Sequence, residues 1–283
     1  MVGSTAFVMA GGGSLGAVEV GMLRELLAWG VAPSFVVGAS AGAINGAYFA
    51  AFPTPEGVAK LQALWSGLKR RELFPLNMGS VMRLLTRRAH LVDAQGLRRL
   101  LERHLPYSQL QDAALPIHIV ASNMVTGEEV LLSSGPAVDA VLASAAIPGV
   151  FPPVSLNGQM LVDGGVANNT PISTAVRLGA KRVIVLPTGF ACALKQLPSG
   201  AIGRAMHALS LLVARQLVQD AERYASMVEL RIVPSLCPLE YSPYDYSAAS
   251  ILIERAAATT RRWLESGGLE REGAPLELQP HSH

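Results

Sequence analysis

Phe35-Val36-Val37-Gly38-Ala39-Ser40-Ala41-Gly42-Ala43-Ile44-Asn45-Gly46-Ala47 is the stretch on which the reading of the fold turns. An apolar run passes directly into a run of small residues able to start a helix, and a serine flanked at two removes by glycines stands at the junction. Strand, sharp turn and helix in that order make a nucleophile elbow. Side chains at Gly38 or Gly42 would collide with the adjoining strand and helix, so the small-residue frame is what lets the Ser40 hydroxyl stand out from a strained turn. G-x-S-x-G by itself also fits an ordinary tight turn. The strand before it and the helix after it favour the catalytic reading.

Upstream of the elbow, residues 6–10 read as a buried strand, 11–16 as a glycine turn, and 17–29 as a helix with Val20, Leu23, Leu26 and Leu27 on one face, closed by Gly30. Downstream, the elbow helix runs to about Ala51 before Pro53 stops it, and 61–105 is helical in pattern and rich in arginine, an insertion between core elements. Strand character resumes at 117–120 and 129–132 with Thr126-Gly127 at the turn; 137–146 is a helix ended by Pro148. A short strand at 160–162 leads into Asp163-Gly164-Gly165, then a helix with Thr170 as N-cap, Pro171 in its first turn and Gly179 at its end, then a strand at 182–186. Such alternation predicts an α/β fold, a mostly parallel central sheet with helices on both faces. Further on, helices near 201–226 and 247–265, a strand near 228–233 and a flexible tail from Gly267 are expected.

Composition bounds the function classes. Across 283 residues Lys and Arg exceed Asp and Glu only by 23 to 21, so no global field draws the chain to nucleic acid. Half of the residues are hydrophobic and 16% charged, which suits buried parallel strands and an apolar substrate site. Cys192 and Cys237 are too few for a disulfide scaffold and lack metal-ligand spacing; a reducing, cytoplasmic setting and no metal are expected. The uncharged run from Leu26 to Pro55 is interrupted by Pro33, Gly38, Gly42, Asn45, Gly46 and Pro53, so it reads as core and not as a membrane span. Met1-Val2-Gly3-Ser4-Thr5 has no basic region, and no signal peptide is expected. The one basic region is 68–105, with Lys69, Arg70, Arg71, Arg83, Arg87, Arg88, Arg98, Arg99 and Arg103 against Glu72, Asp93 and Glu102. Its leucines at 84, 85, 97, 100, 101 and 105 suit either an interfacial face toward an anionic membrane surface, peripheral to its inner side, or packing on the core.

Three features carry chemistry. Gly11-Gly12-Gly13-Ser14-Leu15-Gly16 hands a strand over to a helix, so its backbone N–H groups can converge on an anion. The run also matches the dinucleotide fingerprint, but that site needs an acid at the end of the second strand, where this chain has Gly38-Ala39-Ser40; an oxyanion hole is the better reading, a bare structural turn the alternative. Ser40 needs a base. Asp163 ends an apolar strand before two glycines, although Asp-Gly is also a common turn; His207, His281 and His283 follow it in the chain order of Ser-His-Asp hydrolases.

The glycine loop at 11–16, the elbow from Gly38 to Gly42, the stretch Ser144-Ala145-Ala146-Ile147-Pro148-Gly149-Val150-Phe151-Pro152-Pro153, and Val162-Asp163-Gly164-Gly165 with Asn168-Asn169 beyond it resemble, in order and spacing, the patatin-like phospholipase family. The resemblance covers roughly residues 6–190. It implies lipid acyl hydrolysis through a serine–aspartate dyad without histidine or cofactor, on a sheet related to the α/β-hydrolase architecture. Ser40 would be the nucleophile, Asp163 the base, and the backbone amides of Gly12, Gly13 and Ala41 the oxyanion donors. Residues 1–190 would then be the catalytic core, with a helical insertion at about 55–110, and 191–266 a C-terminal helical extension of the same domain. The family loop carries Arg or Lys where this chain has Leu15. An esterase or thioesterase on soluble acyl compounds, and a lipid-binding module without turnover, are the competing readings.

Overall fold

The computed structural model describes residues 4–73, 93–189, 200–237, 239 and 241–271. Arg83, Leu84, Leu85, Arg87, Arg88, Cys192, His281 and His283 lie outside the described residues, as do the side chain of His207 and most of the expected tail. Eight strands form one open sheet: β1 (Thr5–Met9), β2 (Phe35–Ala39), β3 (Ile117–Asn123), β4 (Glu129–Leu132), β5 (Val154–Leu156), β6 (Gln159–Asp163), β7 (Arg182–Leu186) and β8 (Glu229–Ile232). Their order is β5-β6-β3-β2-β1-β7-β8, with β4 also on β3. The neighbours β3-β2-β1-β7-β8 run parallel, whereas β4 and β6 lie antiparallel to β3 and β5 antiparallel to β6.

Alternation along the buried strands divides the core. Phe7 and Met9 of β1, Val36 of β2 and Ile184 of β7 face one way and pack with α1 (Ala17–Ala28), α2 (Ala41–Ala51), α3 (Pro55–Gly67) and further helices; Ala6, Val8, Val37 and Val183 face the other way. Beyond α4 (Arg70–Leu73), α5 (Gln95–His104), α6 (Ala137–Ser144) and the single turn α7 (Gly165–Asn168), the second face is covered by α8 (Ile172–Arg177) and α9 (Gly200–Tyr224) through Ile172, Ala175, Leu217 and Ala221. The last helix, α10 (Ala249–Glu265), lies against α1 so closely that a Cβ on Gly21 would stand 2.2 Å from the Ile253 carbonyl oxygen.

One expectation changes and two others gain detail. α8 starts at Ile172, not after a Thr170 cap: no side chain caps it, and the Ile172 N–H donates to the Thr170 carbonyl at 2.7 Å. The strand expected near 228–233 is β8, which extends the parallel sheet beside β7. The described leucines of the arginine-rich insertion turn inward, with Leu97, Leu101 and Leu105 buried in the core, and Arg98 pairs with Asp139 at 2.5 Å. These leucines therefore give no apolar face to a membrane. Burial of an aliphatic side chain stabilises by about 2 kcal/mol, which no exposed placement beside arginines offsets.

The site is set by how β3 is shared. β4 occupies one side of β3 at Ile119, Val120, Ala121 and Ser122. A strand has two hydrogen-bonding sides, so β2 and β6 both lie on the other. There β2 ends with Ala39 opposite Val120, and the oppositely running β6 ends with Asp163 opposite Ala121. Two strand ends thus meet head to head at adjacent positions of a third.

Candidate active site

Ser40 follows the last residue of β2 and stands at φ 52°, ψ −118°, a conformation that few L-residues adopt. Its neighbours show why the glycines are needed. A Cβ on Gly42 would lie 2.2 Å from the Met9 carbonyl oxygen of β1, and one on Gly38 would lie 2.4 Å from the carbonyl oxygen of Gly42. The turn brings the Ser40 hydroxyl to Asp163, to which it donates across 2.6 Å (Oγ to Oδ2). Both residues are buried. The second carboxylate oxygen, Oδ1, accepts the Gly165 N–H at 2.8 Å. Burial raises the carboxyl of Asp163 to about 6, against the lowering effect of these two hydrogen bonds. A carboxylate poised there is ionised at neutral pH yet basic enough to accept a hydroxyl proton.

The glycine loop lies beside this pair. The Gly11 N–H donates to the Asn169 carbonyl, the Ser14 N–H to the Pro243 carbonyl and the Leu15 N–H to the Gly12 carbonyl. Among the described residues, the amides of Gly12, Gly13 and Ala41 have no such acceptor, as donors reserved for a ligand would. Gly13 has a positive φ of 60°. Gly12 is pressed against Thr188, whose hydroxyl donates to the Gly11 carbonyl at 2.6 Å; a Cβ on Gly12 would stand 2.3 Å from that oxygen. Leu15 packs part-buried against the core, where a cation would be desolvated.

From Gly13, Ser40 and Ala41 an apolar cavity of about 90 Å³ runs between α2 and the insertion, walled by residues that include Ile44, Leu61, Trp65, Leu101, Phe151 and Tyr246. Leu68 and Tyr246 also border a wider, more open hollow of about 470 Å³ with Lys69, Ser242, Tyr244 and Asp245. Tyr244 lies close enough that the Asp163 charge adds to burial in raising its phenol. Beneath the loop, the wholly buried Glu19 is held well above the usual carboxylate range by burial. It accepts from the Asn45 amide, which also donates to the Gly16 carbonyl, while the Asn45 side-chain oxygen accepts from the Trp65 indole at 2.7 Å. This fastens the loop-to-helix corner to the cavity wall.

The sequence-derived residues therefore converge: Ser40, Asp163, Gly12, Gly13 and Ala41 form one cluster, with Gly11, Gly16, Gly38 and Gly42 shaping it. His104 lines the apolar cavity, but among the described residues no histidine is a hydrogen-bond partner of Ser40 or Asp163. Sequence reading missed Thr188, the 242–246 strap and the hydroxyl of Ser144. Thr188 had a signal, since it follows a strand at the carboxyl edge where open α/β sheets place their sites. The strap had none. Among the described residues no helix is long and apolar enough to cross a membrane, and no cluster of His, Cys, Asp and Glu is disposed to hold a metal.

Comparison with known proteins adds ancestry to this geometry. The family model for patatin-like phospholipase matches residues 7–176. An uncharacterised NTE-family protein of Mycobacterium tuberculosis is 32% identical over 169 residues, covering 59% of this chain and 27% of that one. Lysophospholipase NTE1 of Cryptococcus neoformans is 27% identical over 186 residues, covering 64% of this chain and 11% of that one. This chain thus spans about a quarter or less of the length of these relatives. Human GIVD cytosolic phospholipase A2, solved with methyl gamma-linolenyl fluorophosphonate, shares the fold at a TM-score of 0.50 and 14% identity, over 95% of this chain and 58% of that one.

Proposed function

Since this chain belongs to the patatin-like phospholipase family, we propose that it hydrolyses carboxylic esters of lipids through a Ser40–Asp163 dyad and an acyl-enzyme intermediate. The observation that carries the reading is the buried 2.6 Å hydrogen bond from Ser40 to Asp163 at the head of an apolar cavity. Ser40 Oγ attacks the acyl carbonyl as Asp163 Oδ2 takes its proton, and the amides of Gly12, Gly13 and Ala41 receive the charge that develops on the carbonyl oxygen. The tetrahedral intermediate collapses, the C–O bond to the alcohol breaks, and the proton on Asp163 passes to that departing oxygen. Water then gives a proton to Asp163 and its oxygen to the acyl carbon; the bond from that carbon to Ser40 Oγ breaks, Asp163 passes the proton to Oγ, and the fatty acid leaves.

The first carbons of the acyl chain occupy the apolar cavity, and the alcohol portion leaves toward the wider hollow beside Lys69 and Tyr244. No cofactor takes part in this scheme. Contact with bilayer lipid is peripheral and rests on the exposed arginines of the insertion, such as Arg99 and Arg103, rather than on Leu97, Leu101 or Leu105. An alkyl fluorophosphonate tests the reading directly. Mass spectrometry should find one phosphonyl adduct, on Ser40, accompanied by loss of hydrolysis of a long-chain monoacyl lipid, and Ser40→Ala should take up none. A folded protein that neither labels nor hydrolyses ester would be a binding module.

A further inference from the structure

The stretch Ser144–Pro153 stood out in the sequence, yet the dyad scheme gives its first residue no task. The structure supplies one. The parallel ladder between β2 and β3 has rungs at every second residue, beginning with the Val36 N–H to the Pro116 carbonyl at 2.9 Å. Continuing that alternation by four residues on each strand pairs the Ser40 N–H with the Val120 carbonyl. That rung is open. The wholly buried hydroxyl of Ser144 stands in it, accepting from the Ser40 N–H at 2.9 Å and donating to the Val120 carbonyl at 2.6 Å. Both backbone groups stay satisfied, while Ser40 departs from β3 by the width of one oxygen atom.

The segment from Ser144 to Ala146 also holds the base. The Gly164 N–H donates to the Ser144 carbonyl and the Asp163 N–H to the Ala146 carbonyl, each at 3.0 Å. Nucleophile and base, 123 residues apart in the chain, are thereby referred to one short segment at the end of α6. Resting on the Ser40–Asp163 reading, we propose that Ser144 is a positioning residue: its hydroxyl replaces one rung of the sheet and fixes where the nucleophile stands relative to Asp163. Ser144 does not touch substrate. It acts by keeping a strained backbone in register, and an error of about 1 Å there costs on the order of 100-fold in rate.

The test compares Ser144→Ala with Ser144→Cys, whose thiol is similar in size to a hydroxyl but a weak donor and acceptor. Each is assayed on a soluble short-chain ester and in its rate of phosphonylation by an alkyl fluorophosphonate, with melting followed by circular dichroism. Ser144→Ala should lose roughly 10–100-fold in kcat and a similar factor in labelling rate, with KM nearly unchanged, and Ser144→Cys should fall between it and the parent. If folded Ser144→Ala keeps the parent kcat, or changes KM alone, the positioning role is overturned. Should the alanine variant fail to fold, a Ser144→Cys protein with the parent kcat and labelling rate overturns it equally. Ser40→Ala runs alongside. Full hydrolysis by Ser40→Ala refutes the nucleophile itself and the proposal with it, whereas an inactive Ser40→Ala beside an unimpaired Ser144→Ala refutes the proposal only.

Discussion

The two members of the proposed catalytic pair are built by different means. Ser40 follows a strand in the parallel part of the sheet, and its turn is set mainly by nearby residues: a strand, two glycines and a helix lie within a dozen residues, with Gly38 pressed on Gly42 and Gly42 on Met9 of β1. Asp163 ends a strand in the antiparallel part, and its geometry is almost wholly non-local. It depends on β6 pairing with β3, on the Ala146 carbonyl and on a serine 123 residues away. The proposed nucleophile is thus specified chiefly by steric exclusion, and the proposed base by a set of hydrogen bonds, which can be weakened by degrees.

The largest effect should come from breaking both sides at once. Ser40→Ala, Asp163→Asn and the double variant should each lose roughly 10⁴-fold in kcat/KM, without adding, because the two residues serve one step. Substantial hydrolysis by Asp163→Asn would show that the antiparallel side does not supply the base.

A smaller loss is expected at the glycine loop. Gly12→Ala drives a Cβ into Thr188 and must displace the loop that carries the proposed oxyanion donors, so kcat should drop about 100-fold while the fold persists. Normal turnover in that variant would remove the Gly12 amide from the mechanism.

Because the base side relies on a buried carboxylate, it should reveal itself in pH dependence. With the Asp163 carboxyl raised to about 6 from an ordinary 3.8, kcat/KM should decline below about pH 6 as the base becomes protonated. Stability has the opposite sign. Between those two values the folded chain holds a proton that the unfolded chain has lost, so stability falls as pH rises through the window, and the loss is complete above it. Asp163→Asn, inactive, should therefore melt a few degrees higher than the parent at pH 8, corresponding to about 1–3 kcal/mol. Equal melting temperatures would mean that the folded state compensates the charge fully.

At the level of single packing contacts, Leu101→Ala should destabilise by about 2–4 kcal/mol and weaken turnover on long acyl chains more than on short ones, since Leu101 is buried and walls the apolar cavity. A variant with unchanged melting but poorer binding to anionic vesicles would restore the interfacial role for this leucine. The smallest effect belongs to His207→Gln, which should leave turnover as it is. A loss as deep as that of Ser40→Ala would replace the dyad with a triad.

The amino-acid sequence alone determined everything that local sterics and periodicity control. The elbow, the glycine turn, the alternation of strands and helices, and an aspartate ending a strand before two glycines are all legible, because each is fixed by the size or period of residues close together in the chain. Only the tertiary structure decided that β2 and β6 share one side of β3, that the Ser144 hydroxyl bridges Ser40 and Val120, and that a strap near Pro243 carries the carbonyl that holds Ser14. The physical reason is that these contacts are single hydrogen bonds between distant segments. Neither partner carries a mark of the other in its own composition, and a serine that caps, a serine that solvates and a serine that replaces a rung of a sheet read alike until the strands are paired.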